Sequence, residues 1–314
     1  MSLVRMIAKR VAMGALAAWA ILSIVFALFT LTEDWVLARE TAQLRFFDSD
    51  EELIEAVQEE YFAATGLDES FLQNYAGWMI DMMTLDWHES FITGESALDR
   101  VVDAVLVTGT YVVPSILIAI TLGVTLGVYV SLNPNGRLAN VGTSATYFLF
   151  ALPSFWVGGL IISGVITGDI PYNYSMLNFV LPVVFTTAAL LGGYVSYARA
   201  HSLEYASTDF VKLVEAKGGS RLLLARHVAR NSAIPFFSML FTEALGLLVL
   251  AVFVIEVLFG IEGFGLILFE SINERDLPVL MGGTVVIILV GVLGNVVQDV
   301  SYSVLDPRVD TGVR

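Results

Sequence analysis

Runs of apolar residues separated by polar stretches dominate this chain. An α-helix needs roughly 20 apolar residues to cross the hydrocarbon core of a membrane. Six such runs extend over Val11–Leu31, Ala104–Leu132, Val141–Thr167, Phe179–Tyr197, Phe236–Phe259 and Leu280–Tyr302. Pro153 and Pro182 lie in the third and fourth runs, which still count as spans because neighbouring helices can satisfy the carbonyls that a proline frees. The pattern predicts an all-α integral membrane protein with six transmembrane helices.

The polar segment between the first two runs has its own periodicity. Apolar residues recur at helical spacing over Asp50–Ala64, and Asp68–Met83 repeats the pattern. Such stripes are typical of amphipathic helices. We therefore expect a small helical external domain between transmembrane helices 1 and 2. Two interpretations stay open: these helices cover the bundle or lie in the membrane interface, or they contact a substrate-delivery protein.

Composition agrees with a membrane location. Hydrophobic residues make up 56% of the chain and charged residues 15%, with a mean hydropathy of +0.76, which is too apolar for a soluble protein of this size. Arg5, Lys9 and Arg10 precede the first run as in a signal peptide. That run is longer than a typical cleavable region and has no small-x-small exit, so we interpret it as a retained anchor.

The basic residues predict the orientation. If the N-terminus is cytoplasmic, only four of the 16 lysines and arginines lie outside. These are Arg39, Arg45, Arg100 and Arg275. The positive-inside rule then places both termini in the cytoplasm of a multi-pass cell-membrane protein. The net charge of −15 comes mostly from external carboxylates and favours a halophilic source, with an acidic external domain as the simpler alternative. The absence of cysteine excludes disulfides and thiolate metal sites.

Two predicted loops are long: an external stretch from Gly260 to Val279 and a cytoplasmic loop at about residues 198–235. The cytoplasmic loop contains signals that begin and end helices. Thr208 or Asp209 can cap a helix that runs to Lys217, and Gly218 and Gly219 can end it. Ser220 can cap a second helix that runs to Arg230. We therefore predict a helical hairpin that docks to a cytoplasmic partner.

Several segments of the chain together carry a resemblance to a known family. They are Asp209–Gly218 and Ala225–Pro235 in the loop, then Val254–Phe259, Gly263–Gly265, Asn273–Pro278, Asn295–Tyr302, Leu305–Arg308, and, upstream, Leu85–Trp87 with Ser90. With these segments the chain resembles ABC import permeases of the dipeptide/oligopeptide/nickel family, and the loop resembles their coupling loop. The resemblance covers nearly the whole chain. It is specific because several motifs occur in the family's order and at the family's spacing.

The resemblance implies an ABC type I permease fold and a set of partners. These are a second homologous permease subunit, two cytoplasmic ABC ATPase subunits, an external solute-binding protein and the lipid bilayer, without nucleic acid. The chain has no Gly-x-x-x-x-Gly-Lys-Ser/Thr loop, so ATP hydrolysis is expected on another chain. We expect no cofactor on this chain, with ATP and Mg²⁺ on the ATPase subunits. The residues implied in ATPase coupling are Asp209, Glu215, Ala216, Lys217, Gly218, Gly219, Arg226 and Arg230.

Polar residues within the predicted spans are candidate pathway residues, because ionisable groups are costly in lipid. They are Glu243, Glu256, Asn295 and Asp299. Glu256 and Asp299 lie near helix ends, where we expect interfacial water to solvate them, whereas Glu243 lies deeper. Gly123 and Gly127, one turn apart, predict close approach of a partner helix.

Three domains are predicted: 1–102, an anchor helix with an acidic external domain; 103–303, the permease core; and 304–314, a short cytoplasmic tail. The predicted function is translocation of peptides or a related small solute by the permease subunit of an ATP-driven importer. The alternative is an ion-coupled secondary transporter or channel that uses Glu243 and Asp299. A membrane-embedded enzyme is disfavoured, because no catalytic set or metal-binding motif accompanies the three histidines.

Overall fold

The computed structural model describes residues 3–47, 51–65, 71–206, 208–231 and 252–305. Within these ranges the regular elements are helices, apart from one isolated β-bridge between Glu89 and Ser96. The helices are α1 Leu3–Leu31, α2 Trp35–Phe46, α3 Glu51–Thr65, α4 Phe71–Thr84, α5 Ala97–Leu132, α6 Arg137–Ala151, α7 Ser154–Thr167, α8 Leu181–Ala206, α9 Asp209–Ala216, α10 Arg221–Asn231, α11 Val252–Phe259, α12 Phe264–Asn273 and α13 Leu277–Leu305. A π-helical turn, Met176–Val180, directly precedes α8. The predicted all-helical class is confirmed for the described part of the chain.

Several helices are long and apolar enough to cross a membrane. Four helical segments qualify by themselves: Ile7–Phe46, Ala97–Leu132, Met176–Ala206 and Leu277–Gln298. They correspond to the first, second, fourth and sixth predicted runs. Two bent helix pairs raise the number to six if each pair forms one span. The structure therefore supports between four and six spans.

The third predicted run is not one straight helix, and the prediction was wrong on this point. Helices α6 and α7 meet at an angle of 72°. Leu152 has extended backbone angles, φ −73° and ψ 121°, as expected before a proline. Pro153 also lacks the N–H that would continue the helical hydrogen bonds. The chain therefore turns between Ala151 and Ser154.

The stretch after the fifth run differs from the prediction, whereas the described part of the run itself is helical and ends at Phe259 as predicted. Residues 236–251 of that run lie outside the described residues, and residues 252–259 form α11. The stretch from Gly260 to Val279, predicted as an external connection, contains the ten-residue helix α12. Helices α11 and α12 form an angle of 79°, and Gly260 begins the reversal at φ +63°. A glycine is favoured there because it adopts positive φ without a steric penalty.

The chain divides into two compact units. The first unit comprises Met1–Ile7, Val107–Gly265 and Leu293–Arg314, and the second comprises Ala8–Leu106 and Leu266–Val292. The domain boundaries predicted from the sequence follow the chain order and stay a prediction.

In the first unit, α5 packs closely against α8. A Cβ atom on Gly123 would lie 2.5 Å from the Cβ atom of Tyr194, and one on Gly127 would lie 2.5 Å from that of Ala198. Real Cβ atoms are not found this close to such neighbours, so the contact requires glycine. The predicted close approach at Gly123 and Gly127 is confirmed, and the partner helix is α8.

In the second unit, both predicted amphipathic helices are confirmed as α3 and α4. Helix α2 was not predicted. Its start is fixed by Asp34, whose Oδ1 accepts hydrogen bonds from the backbone N–H groups of Val36 at 3.1 Å and Leu37 at 3.0 Å. An aspartate before a helix is a recognised start signal, but α2 lacks the clear apolar stripe that drew attention to α3 and α4.

Candidate functional site

The predicted hairpin is present and its turn is sharply defined. Helix α9 ends at Ala216, and Gly218 has φ +74°, a conformation that ends helices and favours glycine. The N–H of Gly219 then donates to the carbonyl of Val214 at 2.9 Å. Ser220 Oγ accepts from the N–H of Leu223 at 3.2 Å and caps α10 as predicted. The hairpin fold is confirmed.

An apolar cluster attaches the base of this hairpin to α5. Val211 of α9 and Leu224 and Val228 of α10 pack with Val128 of α5, and all four residues are buried. Next to this cluster, the Arg221 guanidinium donates a hydrogen bond of 3.0 Å to the Asn133 side-chain oxygen, just after the end of α5. The hairpin is therefore held against the helical bundle on one face.

The tip of the hairpin is exposed. Ala216, Lys217 and Gly218 are solvent-exposed, and a side chain added to Gly218 would meet open space. The Asp209 carboxylate is 98% exposed and lies 3.0 Å from Lys212 Nζ. Such a surface ion pair contributes little to stability. The tip and the charged side chains at the start of α9 are therefore open to a partner.

The remaining coupling candidates are spread along the hairpin. Gly219 is partly buried at the turn, and Arg226 is exposed on α10. Glu215 lies in α9 and Arg230 in α10, but their side chains lie outside the description. The structure thus brings the predicted residues together on one element, and their coupling role stays a prediction.

Glu256 differs most from its expected environment. It is fully buried, at 0% exposure, so the expectation that interfacial water solvates it was wrong. Glu256 Oε1 accepts hydrogen bonds from Thr108 Oγ1 at 2.5 Å and Tyr111 Oη at 2.7 Å. Its Oε2 accepts from the backbone N–H of Gly265 at 2.6 Å. Protein donors replace water around this carboxylate, as a buried charge requires.

The other intramembrane candidates do not form a common site with Glu256 among the described residues. Asn295 is exposed on α13, and Asp299 lies in the same helix with its side chain outside the description. Glu243 lies outside the described residues. The pathway role of these residues stays a prediction.

A basic side chain in the second unit was missed as a functional group by sequence reasoning. Arg275 is 3% exposed, and its guanidinium carbon lies 4.3 Å from the ring centroid of Phe29 and 4.8 Å from that of Trp35. Its Nε lies 3.0 Å from Asp34 Oδ2. It also donates to the carbonyl of Phe29 and, at 3.2 Å, to that of Glu33. We call this arrangement the Arg275 clasp; it joins the end of α1 to the start of α13.

Asp276, the next residue, makes a second set of contacts. Its carboxylate accepts from Ser90 Oγ at 2.5 Å and from the N–H of Phe91 at 3.2 Å, and Arg100 Nη1 lies at 3.8 Å. Burial raises the pKa of Asp276 above its ordinary value, while these two hydrogen bonds and the charge of Arg100 oppose the shift. The motif Asn273–Pro278 therefore contacts the upstream motif through the hydrogen bond between Asp276 and Ser90. This contact was not predicted, because the two motifs are far apart in the sequence.

The second unit also contains a cleft of about 1150 Å³. Its lining includes Arg39, Asp81, His88, Glu89 and Glu274. Because charges of both signs line this cleft, its wall suits a polar partner or solvent better than lipid.

Long apolar helices, together with an exposed helical hairpin next to the end of α5, define a multi-pass membrane protein. A family profile described as binding-protein-dependent transport system inner membrane component matches residues 119–311, more than half of the chain. The chain belongs to this family. It is the permease subunit of an ABC importer and is not an enzyme, since a separate chain carries the ATPase.

Curated relatives agree along most of the chain. The metal-staphylopine import system permease protein CntB of Staphylococcus aureus is 28% identical over 270 residues, which is 84% of this chain and 84% of the relative. The dipeptide transport system permease protein DppB of Bacillus subtilis is 28% identical over 297 residues, or 93% and 95%. The oligopeptide transport system permease protein AppB of Bacillus subtilis is 25% identical over 280 residues, or 83% and 87%. The resemblance stated from the motifs is confirmed.

Proposed function

We propose that this chain forms half of a translocation pore for small peptides, and that its hairpin α9–α10 binds a cytoplasmic ATPase subunit. The exposed, sharply turned tip of the hairpin carries this proposal. Relatives named for dipeptide and oligopeptide transport support the substrate class. A metal complex is the second candidate, because one relative is named for metal-staphylopine import.

The proposed assembly contains this chain, a second homologous permease, two ATPase subunits and an external solute-binding protein. ATP and Mg²⁺ bind to the ATPase subunits. In the proposed topology the chain crosses the membrane six times, both termini are cytoplasmic, and the helices α2–α4 form an external domain. The predicted segments 1–102, 103–303 and 304–314 serve as anchor with external domain, core and tail. ATP binding draws the hairpins together, and the pathway opens alternately to either side.

We predict that Gly218→Asp releases the ATPase from the complex. The added side chain projects from the exposed tip, and the positive φ of Gly218 disfavours any residue with a Cβ atom. We expect recovery of the ATPase with the tagged permease to fall by about tenfold, which corresponds to about 1.4 kcal/mol of binding free energy. The measurement is a detergent pull-down from the native membrane, with mass spectrometry of the recovered chains.

Gly168→Asp is the matched control for this experiment. Gly168 also has a positive φ, +82°, and open space around its Cβ position, but it ends α7 rather than the hairpin. We expect this variant to retain the ATPase. If the wild-type chain is recovered without any ATPase, or if both variants lose it equally, the docking proposal is wrong.

A further inference from the structure

Helix α5 contacts two functional regions at positions far apart along its length. Val128 packs in the cluster at the base of the hairpin, and Asn133, directly after the helix, binds Arg221. Nearer its start, Thr108 and Tyr111 bind Glu256. At 1.5 Å per residue, Thr108 and Asn133 are about 37 Å apart along the helix axis, more than the roughly 30 Å of a hydrocarbon core. The segment between these contacts is therefore long enough to cross a membrane.

The contact with Glu256 fixes the reversal between α11 and α12. Glu256 belongs to α11, and its Oε2 accepts from the N–H of Gly265 in the first turn of α12. Thr108 Oγ1 donates to Glu256 and also accepts from the N–H of Phe264 at 2.8 Å. Two N–H groups at the start of α12, which lack helical partners, are therefore satisfied by this network.

Two glycines enclose the carboxylate. A Cβ atom on Gly263 would lie 2.3 Å from Glu256 Oε1, and one on Gly265 would lie 3.1 Å from Oε2 and 2.7 Å from the Cα atom of Phe253. The backbone of the reversal is therefore wrapped around Glu256 without room for another side chain. A movement of α5 at Thr108 and Tyr111 cannot leave this backbone in place without breaking short hydrogen bonds to a buried charge.

The middle of α5 is suited to transmit such a movement. Pro114 removes one helical hydrogen bond, and such positions often bend helices. Here the buried Ser115 hydroxyl donates to the Tyr111 carbonyl at 2.6 Å, and the Val183 carbonyl of α8, at 3.2 Å, lies within reach of the same proton. Farther along, Gly123 and Gly127 hold α5 directly against α8. The helix is continuous from Ala97 to Leu132 and is supported along its length.

We propose that α5 transmits the movement of the hairpin to the α11–α12 reversal, and that Glu256 is the positioning residue that makes this reversal follow α5. This inference rests on the proposed docking of the ATPase to the hairpin. It assigns to Glu256 a role in coupling rather than in contact with the solute, since the described carboxylate is enclosed by protein donors.

Both acceptor oxygens of Glu256 are used, because all three recorded partners donate hydrogen bonds to them. In Glu256→Gln an amide N–H₂ replaces one acceptor oxygen, so at least one of these three hydrogen bonds is lost or must reverse its direction. A hydrogen bond to a charged group changes an equilibrium by about tenfold or more. We therefore expect Glu256→Gln to retain the bound ATPase but to transport about tenfold fewer solute molecules per ATP hydrolysed.

The experiment uses the complete complex in lipid vesicles. The chain has no cysteine, so the change Glu262→Cys gives it a single thiol, at an exposed position of the reversal. Any cysteines of the partner chains are first replaced. The rate at which a maleimide modifies this thiol is measured with and without a non-hydrolysable ATP analogue. We expect the analogue to change the rate in the wild-type background, and this change to be lost in Glu256→Gln.

Thr108→Val and Thr110→Val provide a matched pair on α5. Thr108 contacts Glu256, whereas Thr110 is exposed and its hydroxyl bonds the carbonyl of Val107 in its own helix. We expect Thr108→Val to reduce the nucleotide response and Thr110→Val to leave it unchanged. This pair decides the matter if the Glu256→Gln complex does not assemble.

Two results would overturn the inference. In the first, both Glu256→Gln and Thr108→Val keep the wild-type change in modification rate. In the second, the nucleotide analogue does not change the modification rate of the wild-type background although the ATPase stays bound. Failure of the proposed function has a different signature, since the wild-type permease would then be recovered without an ATPase.

Discussion

Replacing Gly127 with alanine lowers the stability of the bundle, although alanine is the better helix former. The new Cβ atom would lie 2.5 Å from the Cβ atom of Ala198 and 2.8 Å from the backbone nitrogen of Arg199. Neither neighbour can rotate away, because one is a short methyl group and the other is backbone. Helices α5 and α8 must therefore separate, and overpacking of this kind costs about 1–3 kcal/mol. Thermal unfolding of the purified chain in detergent measures the loss.

Gly109→Ala is the control, because Gly109 lies in the same helix with nothing within 4 Å of its Cβ position. Alanine there gains helix propensity of up to about 1 kcal/mol without a clash. The two variants should therefore shift the unfolding temperature in opposite directions. Equal shifts would show that Gly127 does not lie at a close helix contact.

The long helices and the hairpin could be predicted because their signals are local. An apolar run of sufficient length specifies α1, α5 and α13 wherever they pack. In the hairpin, Gly218 and Ser220 each act on their own backbone neighbourhood, through a positive φ and a side-chain cap. Such features need no knowledge of distant residues.

The environment of Glu256 could not be predicted, because its partners are distant in sequence. Thr108 and Tyr111 precede it by 148 and 145 residues. From the sequence, a glutamate near a helix end suggested access to interfacial water. Gly263 and Gly265 could have indicated this environment, although they were considered only as part of a family motif. Glycines that closely follow an acidic residue allow the backbone to approach its side chain. Helix α12, which begins at Phe264 and ends at Asn273, was missed because the stretch that contains it was interpreted as an external connection.

The bend at Pro153 shows the limit of a general rule. Transmembrane helices tolerate proline where neighbours satisfy the freed carbonyl, and the helical segment Met176–Ala206 runs through Pro182. At Pro153 the preceding residue is extended and the chain turns. Whether a helix continues through a proline or ends there depends on the packing around it. A run of apolar residues gives no information about that packing.

Loss of the Arg275 side chain should destabilise the second unit strongly. In Arg275→Met the Asp34 carboxylate loses the cation at 3.0 Å while it still accepts from Tyr61 Oη at 2.8 Å and caps α2. Removing one partner of a buried ion pair costs about 3–5 kcal/mol, because the other charge stays buried. The carbonyls of Phe29 and Glu33 lose a donor as well. Thermal unfolding in detergent and the yield of membrane-inserted chain are the measurements.

Arg39→Met tests whether the effect belongs to the clasp or to arginine in general. Arg39 lies 3.5 Å from Glu274, but the two side chains are 59% and 46% exposed. Exposed pairs of this kind contribute about 0–1 kcal/mol, so this variant should unfold close to the wild-type temperature. The unfolding temperature of Arg275→Lys should lie between those of Arg275→Met and Arg39→Met. Lysine keeps the charge but lacks the planar group that contacts the rings of Phe29 and Trp35. If Arg275→Met were as stable as Arg39→Met, the clasp would not be what joins α1 to α13.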